Sequence, residues 1–161
     1  KSAAVNSPQM EINFPEITFR EDLVGSLPAS EEPDIAAQCD HDLVVGNLAA
    51  TLARRKFKTG NDDTHELFLL EPSGNRKSHV FEILTDTQEK NMLAAAAKLL
   101  LQAANGQSNP VPVLIAPEEQ SAKYAQLLQK AGITVIGFCL ADDRIIFPDL
   151  GKIRLDQSHQ L

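Results

Sequence analysis

The chain has 161 residues and a formal net charge of −7, with 22 acidic and 15 basic residues. This length is sufficient for one domain with a hydrophobic core, and the acidic balance argues against a broad polyanion-binding surface. No stretch approaches ~20 apolar residues, and no charged segment leads into an apolar one. We therefore expect no membrane partner and a cytoplasmic location, with Cys39 and Cys139 as reduced thiols.

The first part of the chain is expected to be an extension that precedes the main domain. In this extension, residues 1–39, positions 1–10 lack periodicity. Segment 11–19 alternates apolar and polar residues and predicts a strand, which Pro15 makes an edge or bent strand. Residues 40–150 form the predicted α/β domain, and residues 151–161 a polar tail. A helix is expected to begin at Asp40, a residue type that suits the N-cap, and residues 59–64 are expected to form a loop.

The rest of the domain alternates strand and helix patterns. Segments 66–71 and 78–84 are apolar strands joined by the turn sequence PSGNRK, which predicts an antiparallel hairpin. A helix over residues 87–104 follows. A strand at 111–116, a helix from Pro117 and a strand at 133–138 predict a parallel βαβ unit, and residues 144–147 a last strand. The fold class is therefore α/β, with a mixed β-sheet flanked by helices.

Three charged side chains lie where apolar residues dominate. Counting outward from the hairpin turn brings Glu66 and Glu82 opposite each other, and Lys98 interrupts the apolar helix that follows. Two facing carboxylates repel unless a cation lies between them, and Mg²⁺ is commonly held by one or two carboxylates. The alternatives are an exposed strand residue for Glu66, an edge acid paired with a basic residue for Glu82, and a surface lysine with an apolar stem for Lys98.

The order of these segments resembles that of the restriction-endonuclease-like, or PD-(D/E)XK, nuclease superfamily. The resemblance covers residues 40–147. The segments that carry it are His41-Asp42-Leu43-Val44-Val45, Glu66-Leu67-Phe68-Leu69-Leu70, Phe81-Glu82-Ile83-Leu84-Thr85, Ala97-Lys98-Leu99-Leu100-Leu101, Val113-Leu114-Ile115-Ala116-Pro117 and Ala131-Gly132-Ile133-Thr134-Val135-Ile136.

The resemblance implies an αβββαβ core and a Mg²⁺-dependent DNA endonuclease, of restriction or defence type. It assigns Glu66 and Glu82 as metal ligands, with Glu66 standing where the family usually has Asp. The family's lysine position falls on Leu84, so Lys98 is the residue that would replace it. The implied partner is DNA, and the implied assembly is a homodimer or a larger multidomain protein.

Two other hypotheses stay open at this level. One is a catalytically silent module of the same fold that binds DNA or protein, which Leu84 and the acidic charge favour. The other is an unrelated α/β regulatory domain, which predicts that Glu66 and Glu82 are not neighbours. His41 and Asp42 are assigned to helix capping and solvent, and His65 and His79 are interpreted as surface imidazoles that lie near each other across the hairpin.

Overall fold

The computed structural model describes residues 35–86, 88–105 and 108–154. In these ranges the elements are α1 (Ile35–Arg54), β1 (Thr59–Gly60), β2 (Leu67–Leu70), β3 (Lys77–Ile83), α2 (Glu89–Asn105), β4 (Val111–Pro117), α3 (Glu118–Lys130), β5 (Thr134–Ala141) and β6 (Arg144–Ile146). A short 3₁₀ turn, Leu150–Lys152, follows the last strand. The predicted α/β class is confirmed, and the predicted edge strand at 11–19 lies outside the described residues.

Within the described residues, six strands form one mixed sheet in the order β1-β2-β3-β4-β5-β6. The β1–β2 and β2–β3 pairs are antiparallel, and so is the β5–β6 pair. The β3–β4 and β4–β5 pairs are parallel. The predicted hairpin is therefore β2–β3, and the predicted parallel βαβ unit is β4–α3–β5.

Helices cover both faces of this sheet, and each face has its own apolar core. On one face α1 packs through Val44, Leu48 and Leu52 against side chains such as Phe81 and Ile115. On the other face α2 and α3 pack against side chains of opposite parity on the same strands. Because a strand covered on both faces has no solvent side, all four residues of β2 are buried, which explains its continuous apolar sequence.

Three boundaries differ from the sequence prediction. Helix α1 begins at Ile35, so Asp40 lies inside the helix and is not its N-cap. The segment predicted as a loop at 59–64 contributes the two-residue strand β1, which pairs with Leu69 and Phe68. The predicted tail starts inside packed structure, because Ile153 is buried against the α1 core.

One further result concerns membranes. In the part of the chain that is described, no helix combines the length and the apolar character needed to cross a bilayer.

Candidate functional site

The pairing register brings the two predicted acids together. Glu66 immediately precedes β2, and Glu82 is the next-to-last residue of β3. Leu67 pairs with Phe81 in this antiparallel ladder, so the next step outward places Glu66 opposite Glu82. Facing residues of such a ladder have Cβ atoms about 4.5–5.5 Å apart. The hairpin count from sequence therefore located two neighbouring carboxylates.

Both carboxylates are largely shielded from water. The side chains of Glu66 and Glu82 are 16% and 13% exposed. Glu66 is therefore not the exposed strand residue that the sequence left open as an alternative. Burying two like charges side by side is unfavourable unless cations accompany them.

Lys98 supplies one of these cations from α2. Its Nζ lies 2.8 Å from Glu82 Oε1 and also 2.8 Å from Oε2, so the ammonium group donates to the carboxylate of the neighbouring strand. The lysine side chain remains 37% exposed. It is thus paired with Glu82 at the edge of the apolar helix face, which agrees with the alternative of an acid paired with a basic residue for Glu82.

His41 supplies the other partner from α1. Its Nε2 lies 3.1 Å from Glu66 Oε1. The assignment of His41 to capping and solvent is wrong, because the helix starts six residues earlier and its side chain is only 18% exposed. The contact joins residues 25 positions apart in the chain.

The charges of these side chains shift the pKa values of Glu82 and His41. Burial raises the pKa of Glu82 and the charge of Glu66 raises it further, against the opposing effects of Lys98 and His41. Burial lowers the pKa of His41, but the hydrogen bond with Glu66 and the nearby charges of Glu66, Asp42 and Glu82 outweigh it, and the net shift is upward. The site therefore favours a positive charge on His41.

One oxygen of the site has no partner. Glu66 Oε2 is buried and forms no hydrogen bond, while Oε1 of the same group faces His41. Buried acceptors without a partner are rare in folded proteins. Among the described residues, no group of three or more His, Cys, Asp or Glu side chains could hold a metal ion. Of the four carboxylate oxygens of Glu66 and Glu82, three have a partner, because Lys98 lies 2.8 Å from both oxygens of Glu82 and His41 lies 3.1 Å from Glu66 Oε1.

Leu84, which directly follows β3, is a partly buried apolar residue. Its side chain packs against the α2–α3 core cluster, and its backbone N–H donates to Ile115 O at 2.8 Å. The strand position at which the resembled family carries lysine therefore faces apolar neighbours. The ammonium group that contacts Glu82 belongs to Lys98 on α2.

A second polar cluster, which sequence reasoning missed, joins the loop before β2 to the first residue of β3. Lys77 Nζ donates to Asp62 Oδ2 at 2.5 Å, and His65 Nδ1 lies 2.9 Å from Asp62 Oδ1. Although burial opposes the effect, hydrogen bonds from Lys77, His65 and Thr64 hold the pKa of Asp62 well below its usual range. An open groove of about 840 Å³ lies beside this cluster, against the end of α2.

The two hairpin histidines are not a pair of surface imidazoles. His79 is buried, and its ring stacks on Phe81 with centroids 6.5 Å apart. Burial lowers the pKa of His79, which favours a neutral ring. His65 instead belongs to the Asp62 cluster, on the groove wall.

Comparison with known proteins adds no assignment to this geometry. No protein-family model, no curated protein and no solved structure matches the chain.

Proposed function

We propose that this domain is a Mg²⁺-dependent DNA endonuclease with the αβββαβ core of the restriction-endonuclease-like superfamily. The observation that carries the proposal is the juxtaposition of Glu66 and Glu82 at one end of the β2–β3 pair, with Lys98 2.8 Å from Glu82. The element order from α1 to β4 supports it, since a helix, three strands, a helix and a strand follow one another. We expect this activity in the cytoplasm.

The residues present fit a hard divalent cation. Mg²⁺ is usually bound through one or two carboxylates, while waters and substrate phosphate oxygens complete the octahedron. Glu66 and Glu82 supply two carboxylates, and Glu66 Oε2 is buried without a hydrogen-bond donor.

The protein side chains then have distinct tasks. Glu66 and Glu82 would hold the cation, which when bound supplies an activated water and stabilises charge on a phosphodiester. Lys98 would position that water or neutralise charge on the substrate phosphate, replacing the lysine that Leu84 does not provide. His41 holds one oxygen of Glu66 and leaves the other oxygen available.

The acidic charge of the domain bears on how it would contact DNA. A net charge of −7 disfavours strong DNA binding by charge alone, because affinity for DNA depends on phosphate contacts from basic residues. We therefore expect part of the DNA contact to come from a second copy of the chain or from a larger multidomain protein.

Plasmid nicking with Mg²⁺ or Mn²⁺ tests this function. The wild-type chain should cleave only with metal, and Glu66→Gln and Glu82→Gln should abolish cleavage. Lys98→Ala should lower the rate about 100- to 1,000-fold, the usual effect of removing one donor to a transition-state charge. Glu119→Gln and Lys130→Ala change exposed α3 residues of the same types and should leave the rate unchanged. Cleavage that survives Glu82→Gln would contradict the assignment.

A catalytically silent module is the second candidate. It is favoured by the pairing of both carboxylates with side-chain cations, since Glu82 with Lys98 and Glu66 with His41 need no metal to balance their charges. A folded wild-type chain that cleaves no DNA with either metal would favour it. The third hypothesis, an unrelated α/β regulatory domain, predicts that the two acids are not neighbours. The register of β2 and β3 supports the first two hypotheses on this point.

A further inference from the structure

The open groove beside the Asp62 cluster is separate from the candidate metal site, because neither Glu66 nor Glu82 lines it. The loop before β2, the β2–β3 turn and the last turn of α2 contribute to its walls. Its volume of about 840 Å³ falls within the range of small-molecule sites, about 300–1,000 Å³. The groove is therefore large enough for a small organic ligand.

The lining of this groove is polar and basic. Among the described residues that line it, none is acidic, the basic ones are His65, Arg76 and Lys77, and Pro110 is the only apolar one. The whole chain has 22 acidic and 15 basic residues, so this wall departs from the overall charge balance. The same residues include no Phe, Tyr or Trp, whose rings would stack on a nucleobase or cover a lipid tail. The lining thus suits a polar, negatively charged ligand.

Arg76 is the cation that is available to such a ligand. It is exposed in the turn before β3, and in the part of the chain that the structure describes its guanidinium has no ion-pair partner. Lys77 differs, because its ammonium group already contacts Asp62 and lies 4.4 Å from the centroid of the Phe68 ring. A guanidinium binds a phosphate group through two parallel hydrogen bonds. Arg76 is therefore the residue that would hold an anionic group.

The walls of the groove are tied together without a ligand. The two carboxylate oxygens of Asp62 contact Lys77 and His65. From α2, Gln102 Nε2 donates to the backbone oxygen of Thr64 at 2.7 Å. These contacts join the loop before β2 to β3 and to the end of α2. Binding in a preformed groove costs less conformational entropy than binding that must order its own walls.

The remaining lining favours a ligand with hydroxyl groups. Asn75 in the β2–β3 turn and Asn105 at the end of α2 are both exposed and line the groove. A carboxamide donates and accepts hydrogen bonds, and so does the hydroxyl group of a sugar. Since the C-terminal end of a helix carries a partial negative charge, the anionic group of a ligand would lie nearer Arg76 than the end of α2. The groove therefore combines one anion-binding side with one hydroxyl-binding side.

We propose that this groove binds a phosphorylated sugar, with the phosphate on Arg76 and the sugar hydroxyl groups on Asn75 and Asn105. The inference does not depend on the nuclease activity, because neither proposed metal ligand takes part in it.

Isothermal titration calorimetry of the full chain tests this binding with glucose 6-phosphate, ribose 5-phosphate, inorganic phosphate and glucose. At least one sugar phosphate should bind, inorganic phosphate should bind more weakly, and glucose should not bind detectably. Arg76→Gln should raise the Kd about tenfold or more, the effect of losing a charge-assisted hydrogen bond. Arg144→Gln changes an exposed arginine on β6, the last strand of the sheet, and should leave the Kd unchanged. A folded wild type that binds neither sugar phosphate would overturn the proposal, as would equal weakening by Arg144→Gln.

A variant that fills the groove separates this site from a general attraction of anions to the surface. Asn105→Trp places a large side chain at the exposed end of α2 without a change of charge, and it should abolish binding. Backbone amide NMR shifts on addition of glucose 6-phosphate should be large at Asn75, Arg76 and Asn105 and absent at Arg144. Binding that is unchanged in folded Asn105→Trp, or shifts confined to other parts of the chain, would refute the assignment of the groove.

Discussion

Replacing Lys98 with alanine should destabilise the fold in a pH-dependent way. At about 4 Å between charge centres, an effective dielectric constant near 20 gives roughly 4 kcal/mol of attraction. Solvent screens part of this, because the Lys98 side chain is 37% exposed and Glu82 is 13% exposed. We therefore expect Lys98→Ala to lower the free energy of unfolding by about 1–2 kcal/mol near pH 7, between the values for exposed and buried pairs. The fall in Tm should be about 2–8 °C.

The sign of the pH dependence follows from Glu82. Its pKa is already raised by burial and by Glu66, and removing Lys98 raises the pKa further. An acid with a raised folded-state pKa loses stability as the pH rises through that value. The difference between wild type and Lys98→Ala should thus be small at about pH 3.5, below the ordinary pKa of a glutamate of about 4.3, and larger at neutral pH.

Urea unfolding followed by circular dichroism at these two pH values measures the effect. Lys152→Ala is the matched control, because Lys152 Nζ also lies 2.8 Å from a carboxylate, Asp149, but both side chains are about half exposed. Its cost should be below about 0.5 kcal/mol. In a Glu82→Gln background, Lys98→Ala should cost close to nothing. A loss that is the same at both pH values, or that persists in that background, would refute the ion-pair explanation.

Two further predictions concern the hairpin and the α3–β5 contact. Lys77→Ala should raise the pKa of Asp62, measured by carbon NMR of its carboxyl group. In the wild type, the lowered pKa of Asp62 stabilises the fold above the unfolded-state pKa of this group, and that stability is lost as the pH falls. In Lys77→Ala this loss in acid should be smaller. An unchanged titration of Asp62 would contradict the prediction. Gly137→Ala should cost about 1–3 kcal/mol in urea unfolding, because a Cβ there would lie 2.6 Å from Ser121 Oγ. Gly46→Ala, where a Cβ meets nothing within 4 Å, should instead stabilise α1, and a neutral Gly137→Ala would refute the clash.

The sequence was informative wherever a local pattern determines the structure. The β2–β3 hairpin follows from two apolar runs and a turn, and counting from that turn suffices to pair Glu66 with Glu82. Lys98 is conspicuous because it is the only charged residue between Lys90 and the end of α2. These features need only the periods of strands and helices and the reach of a short turn.

Contacts between distant segments could not be predicted in this way. His41 lies 25 residues from Glu66, and no helical or strand period links them. Strand β1 has two residues, Thr59 and Gly60, which are too few for an alternating pattern, and it forms only because β2 offers a free edge. Asp40 was a plausible N-cap by residue type, yet the helix continues past it to Ile35.

The measurement that most directly tests the central claim is Mn²⁺ binding followed by electron paramagnetic resonance, with Mn²⁺ in place of Mg²⁺. The claim is that Glu66 and Glu82 together form one divalent-cation site. The wild-type chain should bind one ion, Glu66→Gln and Glu82→Gln should each remove that binding, and Glu119→Gln should not. Competition by Mg²⁺ should release the bound Mn²⁺. If the folded wild type binds no Mn²⁺, or if both Glu→Gln variants bind as the wild type does, the two carboxylates are a metal-free ion-pair cluster and the nuclease proposal is wrong.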